Sequence, residues 1–101
     1  MTRTEPLEAT RYDDLGKLLN DRTPGSFLIV SQRDLPGLWF CSICPCGCGK
    51  YSALAIGKGE KPKAKPSWSW DGDEDRPTLK PSINHVDHWH GWLTGGIWKS
   101  V

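Results

Sequence analysis

The sequence predicts a small, mainly β single domain with a short N-terminal helix. The chain has 101 residues, 37% of them hydrophobic, so it can bury only one thin core. Short runs of β-branched and aromatic residues, such as "SFLIVSQ" and "LWFCSI", recur between turn-forming residues. All four cysteines lie within "CSICPCGC", and a core this small needs a staple of the kind that close cysteines supply.

The elements of the first half follow in order. Residues 1–10 are expected to form a flexible tail. "EATRYDDLGKLLNDR" carries Tyr12, Leu15, Leu18 and Leu19 at helical spacing, which predicts a short helix. "SFLIVSQ" and "LWFCSI" then form a hairpin around "RDLPG", and "YSALAI" is a third strand. The cysteine run is therefore a turn between two strands, as in zinc ribbons.

The second half begins with a lysine-rich loop over residues 57–66. This loop is either a basic strip that binds phosphate or an acidic partner, or a solvated connection between strands, and we favour the connection. Trp68 and Trp70 alternate with serines, which predicts a strand whose tryptophans enter the core. "TLKPSI" is a further strand, and residues 89–101 form a closing hairpin around "TGG". In that hairpin His90 and Trp92 face one side.

Charge and hydropathy exclude several classes of protein. The formal net charge is +1, with opposed basic and acidic patches, and no aromatic residues are interleaved with the lysines, so nucleic-acid binding is disfavoured. No run approaches the roughly 20 apolar residues of a membrane span, and the polar N-terminus does not look like a signal peptide. We therefore expect a cytoplasmic location.

In a reducing compartment, four close thiols favour metal binding over disulfide or redox chemistry. Cys44, Cys46 and Cys48 alternate at every second residue, too close to reach disulfide geometry with one another, whereas thiolates on a glycine-containing turn can converge on one ion. Zinc is the expected ion, because soft sulfur and imidazole nitrogen suit it. The predicted fold is thus a zinc-stapled domain that spans residues 1–101.

A remote histidine is the natural partner of the cysteine turn. Cys41 and Cys44 could form half of a zinc ribbon, but the other two cysteines follow too soon to form the second half. All three histidines, His85, His88 and His90, lie in "HVDHWH". We predict His90 as the ligand because its strand position fixes its direction; the roles of Cys41 and the other two histidines stay open.

Three motifs in order, "CPCGCG", "WSWDG" before "RPTLKPSI", and "HWHGWLTGG", resemble a family of short bacterial and phage proteins of unknown function. The resemblance covers residues 40–101. Members appear beside bacterial ubiquitin-like conjugation genes, which implies a peptidase that trims or releases a ubiquitin-like protein. Many relatives carry a cysteine shortly before the histidine that corresponds to His90, where this chain has Asp87 and His88.

The peptidase that the resemblance implies, combined with the zinc site that the cysteines predict, gives a zinc-dependent peptidase, which keeps one coordination position for water and needs a base and an oxyanion donor. Glu74 or, less favoured, Asp87 is then the general base, and Ser82 the oxyanion donor. The metal ligands are predicted to be Cys44, Cys48 and His90, with Cys46 either a further ligand or a thiol beside the site. In the alternative, three or four sulfurs and His90 saturate the ion, so that no water is activated and the zinc is purely structural. The chain is then a non-catalytic binding module.

Overall fold

The computed structural model describes residues 4–32, 35–63, 65–85 and 88–101. These residues form one helix, α1 (Leu15–Asp21), and nine strands. The strands are β1 (Leu7–Glu8), β2 (Thr10–Arg11), β3 (Ser26–Gln32), β4 (Leu35–Ile43), β5 (Tyr51–Lys58), β6 (Ser67–Trp70), β7 (Leu79–His85), β8 (Trp89–Thr94) and β9 (Ile97–Ser100). The predicted fold class, a small β-rich domain with one short helix and a cysteine turn, is confirmed.

The N-terminal segment closes the sheet into a barrel. The strands lie in the order β1-β9-β8-β7-β6-β5-β4-β3-β2, so the first two strands, consecutive in the chain, sit at opposite ends. The Ala9 N–H donates to the Gly96 carbonyl at 2.8 Å, and the Thr10 N–H donates to the Gly25 carbonyl at 3.3 Å. The segment therefore bridges the edges formed by β9 and β3, which removes both as open edges. Residues 7–11 are ordered by this pairing, in contrast to the flexible tail expected over residues 1–10.

The helix is shorter than the sequence pattern suggested. Asp14 has extended backbone and its side chain accepts a hydrogen bond from the Gly16 N–H, which marks the start of the helix. Arg22 ends the helix in the left-handed conformation, with φ of 48°. Leu18 is the fully buried residue of α1, and the helix packs against β3 and β4. Within the described residues, no helix has the length and apolar character that crossing a bilayer requires.

Aromatic side chains fill the interior of the barrel. Trp98 meets Phe40 edge-on at 6.1 Å between ring centroids and Trp89 at 5.5 Å. Trp68 and Trp70 are only 9% and 6% exposed, which confirms the prediction that they belong to the core. Both strands of the β7–β8 hairpin therefore have one face against this aromatic core and one face toward solvent.

Candidate active site and cysteine cluster

The outer face of the β7–β8 hairpin carries polar side chains. Along β8 burial alternates, so that His90 and Trp92 point outward while Trp89 points into the core, as predicted. Asn84 lies directly opposite His90 in the antiparallel register. Side chains two residues apart on a strand share a face, so Ser82 and Asn84 extend the same outer surface. This surface is the candidate active site.

Ser82 and His90 are hydrogen-bonded to each other. The distance from His90 Nε2 to Ser82 Oγ is 3.1 Å, and both residues are half-buried. The register between β7 and β8 shifts between Leu79 and Ile83, so Ser82 lies at an irregularity of the ladder. Such irregularities re-aim side chains and recur beside active sites. A serine and a histidine in this contact are the pair that activates a serine nucleophile.

The backbone around Ser82 is held from the core side. The indole N–H of Trp68 donates to the Ser82 carbonyl at 3.2 Å. Trp68 is buried, so this hydrogen bond ties the position of Ser82 to the rigid interior. The pairing of Ser82 with His90 thus has a fixed geometry on both sides of β7.

Glu74, the base expected from the sequence, lies in the exposed turn after β6. Its carboxylate forms an ion pair with Arg11 at 3.4 Å, and Arg11 also contacts Asp75 at 2.7 Å. These interactions do not involve Ser82 or His90. Asp87, the other carboxylate considered, lies outside the described residues.

The cysteine turn gathers three thiols between β4 and β5. The Sγ atoms of Cys44, Cys46 and Cys48 all lie within 4.8 Å of one another, and the first two are 3.2 Å apart. The Cys44 N–H donates to the Lys50 carbonyl at 2.9 Å, which closes the turn. Two sulfurs bound to one tetrahedral zinc at about 2.3 Å are about 3.8 Å apart, so this spacing fits one ion. Three close cysteines here could bind a metal.

The thiols of the cluster differ in their pKa values. Burial raises the pKa of the Cys44 thiol to about 12, with neighbouring thiols adding to the effect. Burial acts the same way at Cys48, but hydrogen bonds from the Lys50 backbone and the other two thiols outweigh it and lower that pKa. A cation at the centre of the cluster would favour thiolates at all three positions.

The remaining candidates from the sequence lie elsewhere. His90 is not a member of the three-cysteine group, since its Nε2 contacts Ser82. Cys41 is buried, and burial raises the pKa of its thiol. His85 points into the core, where its Nε2 lies 3.3 Å from Ser52 Oγ and its buried Nδ1 has no partner among the described residues.

The sequence named both Ser82 and His90 but missed that they form a pair. The signal was available in the alternation of the two strands, because "PSIN" and "HWHGW" flank one turn of an antiparallel hairpin. The even-numbered positions of both strands face the same side, which places Ser82, Asn84 and His90 together. Counting from the turn pairs Asn84 with His90 and leaves Ser82 diagonal to His90 on the same face, so the pattern indicates that they are near each other but not that they are in direct contact.

A serine hydroxyl within hydrogen-bond reach of an imidazole is one part of the arrangement found in hydrolases that use a serine nucleophile, which also includes a group that orients the imidazole. A family model described as "Bacterial ubiquitination-like system serine protease (BubE)" matches residues 14–101. The chain belongs to this family of proteases of a bacterial ubiquitination-like system. This confirms the resemblance to proteins associated with ubiquitin-like conjugation. No curated protein and no solved structure matches the chain.

Proposed function

We propose that this chain is a protease in which Ser82 is the nucleophile and His90 the general base. The observation that carries the proposal is the 3.1 Å contact between Ser82 Oγ and His90 Nε2 on the open face of the β7–β8 hairpin. The family description, which names a serine protease, supports the same choice. This assigns Ser82 and His90 to roles other than the oxyanion donor and metal ligand expected from the sequence.

The reaction would proceed by acyl transfer. Ser82 Oγ attacks the scissile carbonyl carbon while its proton passes to His90 Nε2. The carbon–nitrogen bond then breaks, and His90 returns the proton to the leaving amine, which leaves an ester on Ser82. A water molecule, deprotonated by His90, hydrolyses this ester and regenerates the serine. Asn84 lies directly across the strands from His90, and in this proposal its amide orients the imidazole.

The cysteine cluster is proposed to hold zinc as a structural ion. Three sulfur ligands fit the preference of zinc, and sulfur-rich sites are typically closed ones that contribute folding energy. Cys44, Cys46 and Cys48 would hold the β4–β5 turn together. When bound, zinc supplies a cross-link between residues whose thiols are otherwise crowded in a tight turn.

The substrate is proposed to be a ubiquitin-like protein, processed at its C-terminal extension or released from its conjugates. Support comes from the family's place in a bacterial ubiquitination-like system. A reducing, cytoplasmic compartment is part of the proposal, because all four cysteines are free and the cluster needs thiols.

Cleavage and labelling test the catalytic pair. The protein is incubated with a ubiquitin-like precursor from a bacterial ubiquitination-like system, and intact mass spectrometry reports the shortened product. Ser82→Ala and His90→Gln should each lower the rate at least about a thousandfold, the scale of losing a nucleophile or its base. Ser69→Ala, on the neighbouring strand β6, is the matched control and should keep full activity. A fluorophosphonate probe should label wild type but not Ser82→Ala.

Glu74→Gln separates this mechanism from the one expected from the sequence. If His90 is the base, the variant keeps near-normal activity, because Glu74 contacts Arg11 and not the pair. Loss of activity in Glu74→Gln with unchanged activity in His90→Gln would overturn the proposal and restore the carboxylate as the base.

Metal content tests the cluster. Purified protein should hold about one zinc per chain, and Cys44→Ser should lose most of it and unfold at lower temperature. Cys41→Ser is the matched control, since Cys41 is buried outside the group and should leave the zinc content unchanged. A metal-free wild type with unchanged unfolding temperature would contradict the structural role.

A further inference from the structure

The lysine-rich loop between β5 and β6 forms one wall of a groove beside Ser82. The groove has a volume of about 640 Å³ and is lined by Lys61, Lys63 and Lys65, with Trp68 and Pro81 on the other side. Pro81 directly precedes Ser82, and the Trp68 indole donates to the Ser82 carbonyl. The groove is therefore lined by the residue before the proposed nucleophile and by the indole that holds the carbonyl of that nucleophile. Ala64 of the same loop lies outside the described residues.

The positive charge of this groove is not neutralised by its surroundings. Each of the three lysines is exposed, and the ion pairs formed by the described residues involve Arg11 alone among the basic side chains. Lys58 is different, because its side chain packs against Gly72 in the acidic turn after β6. Glu60 is the single acidic residue of the loop sequence. A ligand with carboxylates would meet three cations here.

The size of the groove limits the length of such a ligand. A volume of 640 Å³ corresponds to a sphere about 11 Å across, which is the span of about three extended residues. Two prolines of the loop and the buried Trp68 give the groove an apolar floor beneath the charged rim. An extended polypeptide with acidic side chains fits this combination, whereas the aromatic residue that lines the groove, Trp68, is only 9% exposed and offers little of the base-stacking surface that single-stranded nucleic acid needs.

We propose that the lysine groove is a specificity subsite that binds an acidic segment of the substrate polypeptide, within about three residues of the bond that Ser82 attacks. This inference rests on the proposed function for the position of the scissile bond. Individually, exposed ion pairs change affinity by only about two- to fivefold, but three cations in one groove give about tenfold or more.

Peptide binding to the Ser82→Ala variant tests the subsite without requiring cleavage. The probe is a fluorescein-labelled peptide with a run of glutamates, compared by fluorescence anisotropy with the same peptide carrying glutamines. The glutamate peptide should bind about tenfold more tightly, and raising the salt from about 50 to about 500 mM should remove most of the difference. Reversing all three charges, Lys61→Glu with Lys63→Glu and Lys65→Glu, should abolish the preference.

The matched control is Lys17→Glu, an exposed lysine on α1 that lies outside the groove. Far-UV circular dichroism and urea unfolding check that each variant is folded. Equal binding of the two peptides, or an equal loss in Lys17→Glu, would overturn the inference. Preferential binding of a single-stranded oligonucleotide over the glutamate peptide would also overturn it.

The two proposals fail in different experiments. If Ser82→Ala abolishes cleavage but the charge reversals change neither peptide preference nor KM, the groove is not a subsite and the catalytic pair stands. If the glutamate preference depends on the three lysines but Ser82→Ala still cleaves, the groove binds acidic peptide and the catalytic assignment is wrong.

Discussion

Gly91 lies between His90 and Trp92, where there is no room for a side chain. A Cβ atom at this position would lie 2.1 Å from the Lys99 carbonyl oxygen on β9 and 2.6 Å from the ring of Trp89. Ordinary contact begins at about 3.4 Å, so β8 and β9 would have to separate by about 1 Å. The obstacle is backbone on one side and a fully buried indole on the other, and neither can move aside cheaply.

The cost of Gly91→Ala follows from this geometry. Overpacking a core costs about 1–3 kcal/mol, and each ladder hydrogen bond that stretches by about 1 Å loses roughly another 1 kcal/mol. We expect a loss of about 4 kcal/mol, against a total stability of about 5–15 kcal/mol for a domain of this size. The unfolding temperature should fall by at least about 15 °C, because a domain of this length loses about 4–8 °C per kcal/mol.

Thermal unfolding followed by circular dichroism measures this effect. Gly16→Ala is the matched control, since the new Cβ would meet only the Asp14 side chain at 3.4 Å and alanine favours a helix by up to about 1 kcal/mol. That variant should melt at the same temperature or slightly higher. If Gly91→Ala melts within a few degrees of wild type, β8 and β9 are not held as closely as the structure indicates, and the reasoning fails.

Two further predictions concern the interior. Burial, followed by the charges of Lys50 and His88, lowers the pKa of His85 below its usual 6.5. The stability that neutral His85 contributes is therefore fully present above pH 6.5 and is lost as the pH falls through the folded pKa. Urea unfolding should show that the free energy of unfolding falls less on acidification in His85→Gln than in wild type. An equal fall in both proteins would contradict this. Trp98→Phe removes the buried indole bond to the Gly25 carbonyl at 3.0 Å and should cost about 2 kcal/mol in urea unfolding, whereas the exposed Trp92→Phe should cost almost nothing.

Local patterns predicted the elements that are decided locally. The alternation of Trp68 and Trp70, the cysteine turn between strands, and the outward direction of His90 are all confirmed, because strand period alone fixes which side a residue faces. The helix was predicted too long, since Asp14 caps it and the preceding residues pair with β3.

Closure of the barrel could not be predicted in the same way. Strands β1 and β2 have two residues each, too few for a recognisable period. Leu7 pairs with Trp98, which is distant in the chain, and Thr10 pairs with Ser26. Only the completed sheet creates the two edges that this segment joins, so the signal exists in the tertiary structure and not in the local sequence.

His90, which the sequence argument joined to the cysteines, is not a member of the three-cysteine group among the described residues. The sequence argument joined His90 to the cysteines because Cys46 and Cys48 follow too soon to form the second half of a zinc ribbon, which favours a remote ligand. Cys44, however, is fully buried and packs with the core cluster, whereas His90 faces outward beside Trp92. Cys48, at the other end of the group, is exposed, so the three thiols run from the core to the surface. Strand period therefore accounts for the outward direction of His90 beside Ser82, whereas the arrangement of the three thiols depends on how the turn between β4 and β5 folds.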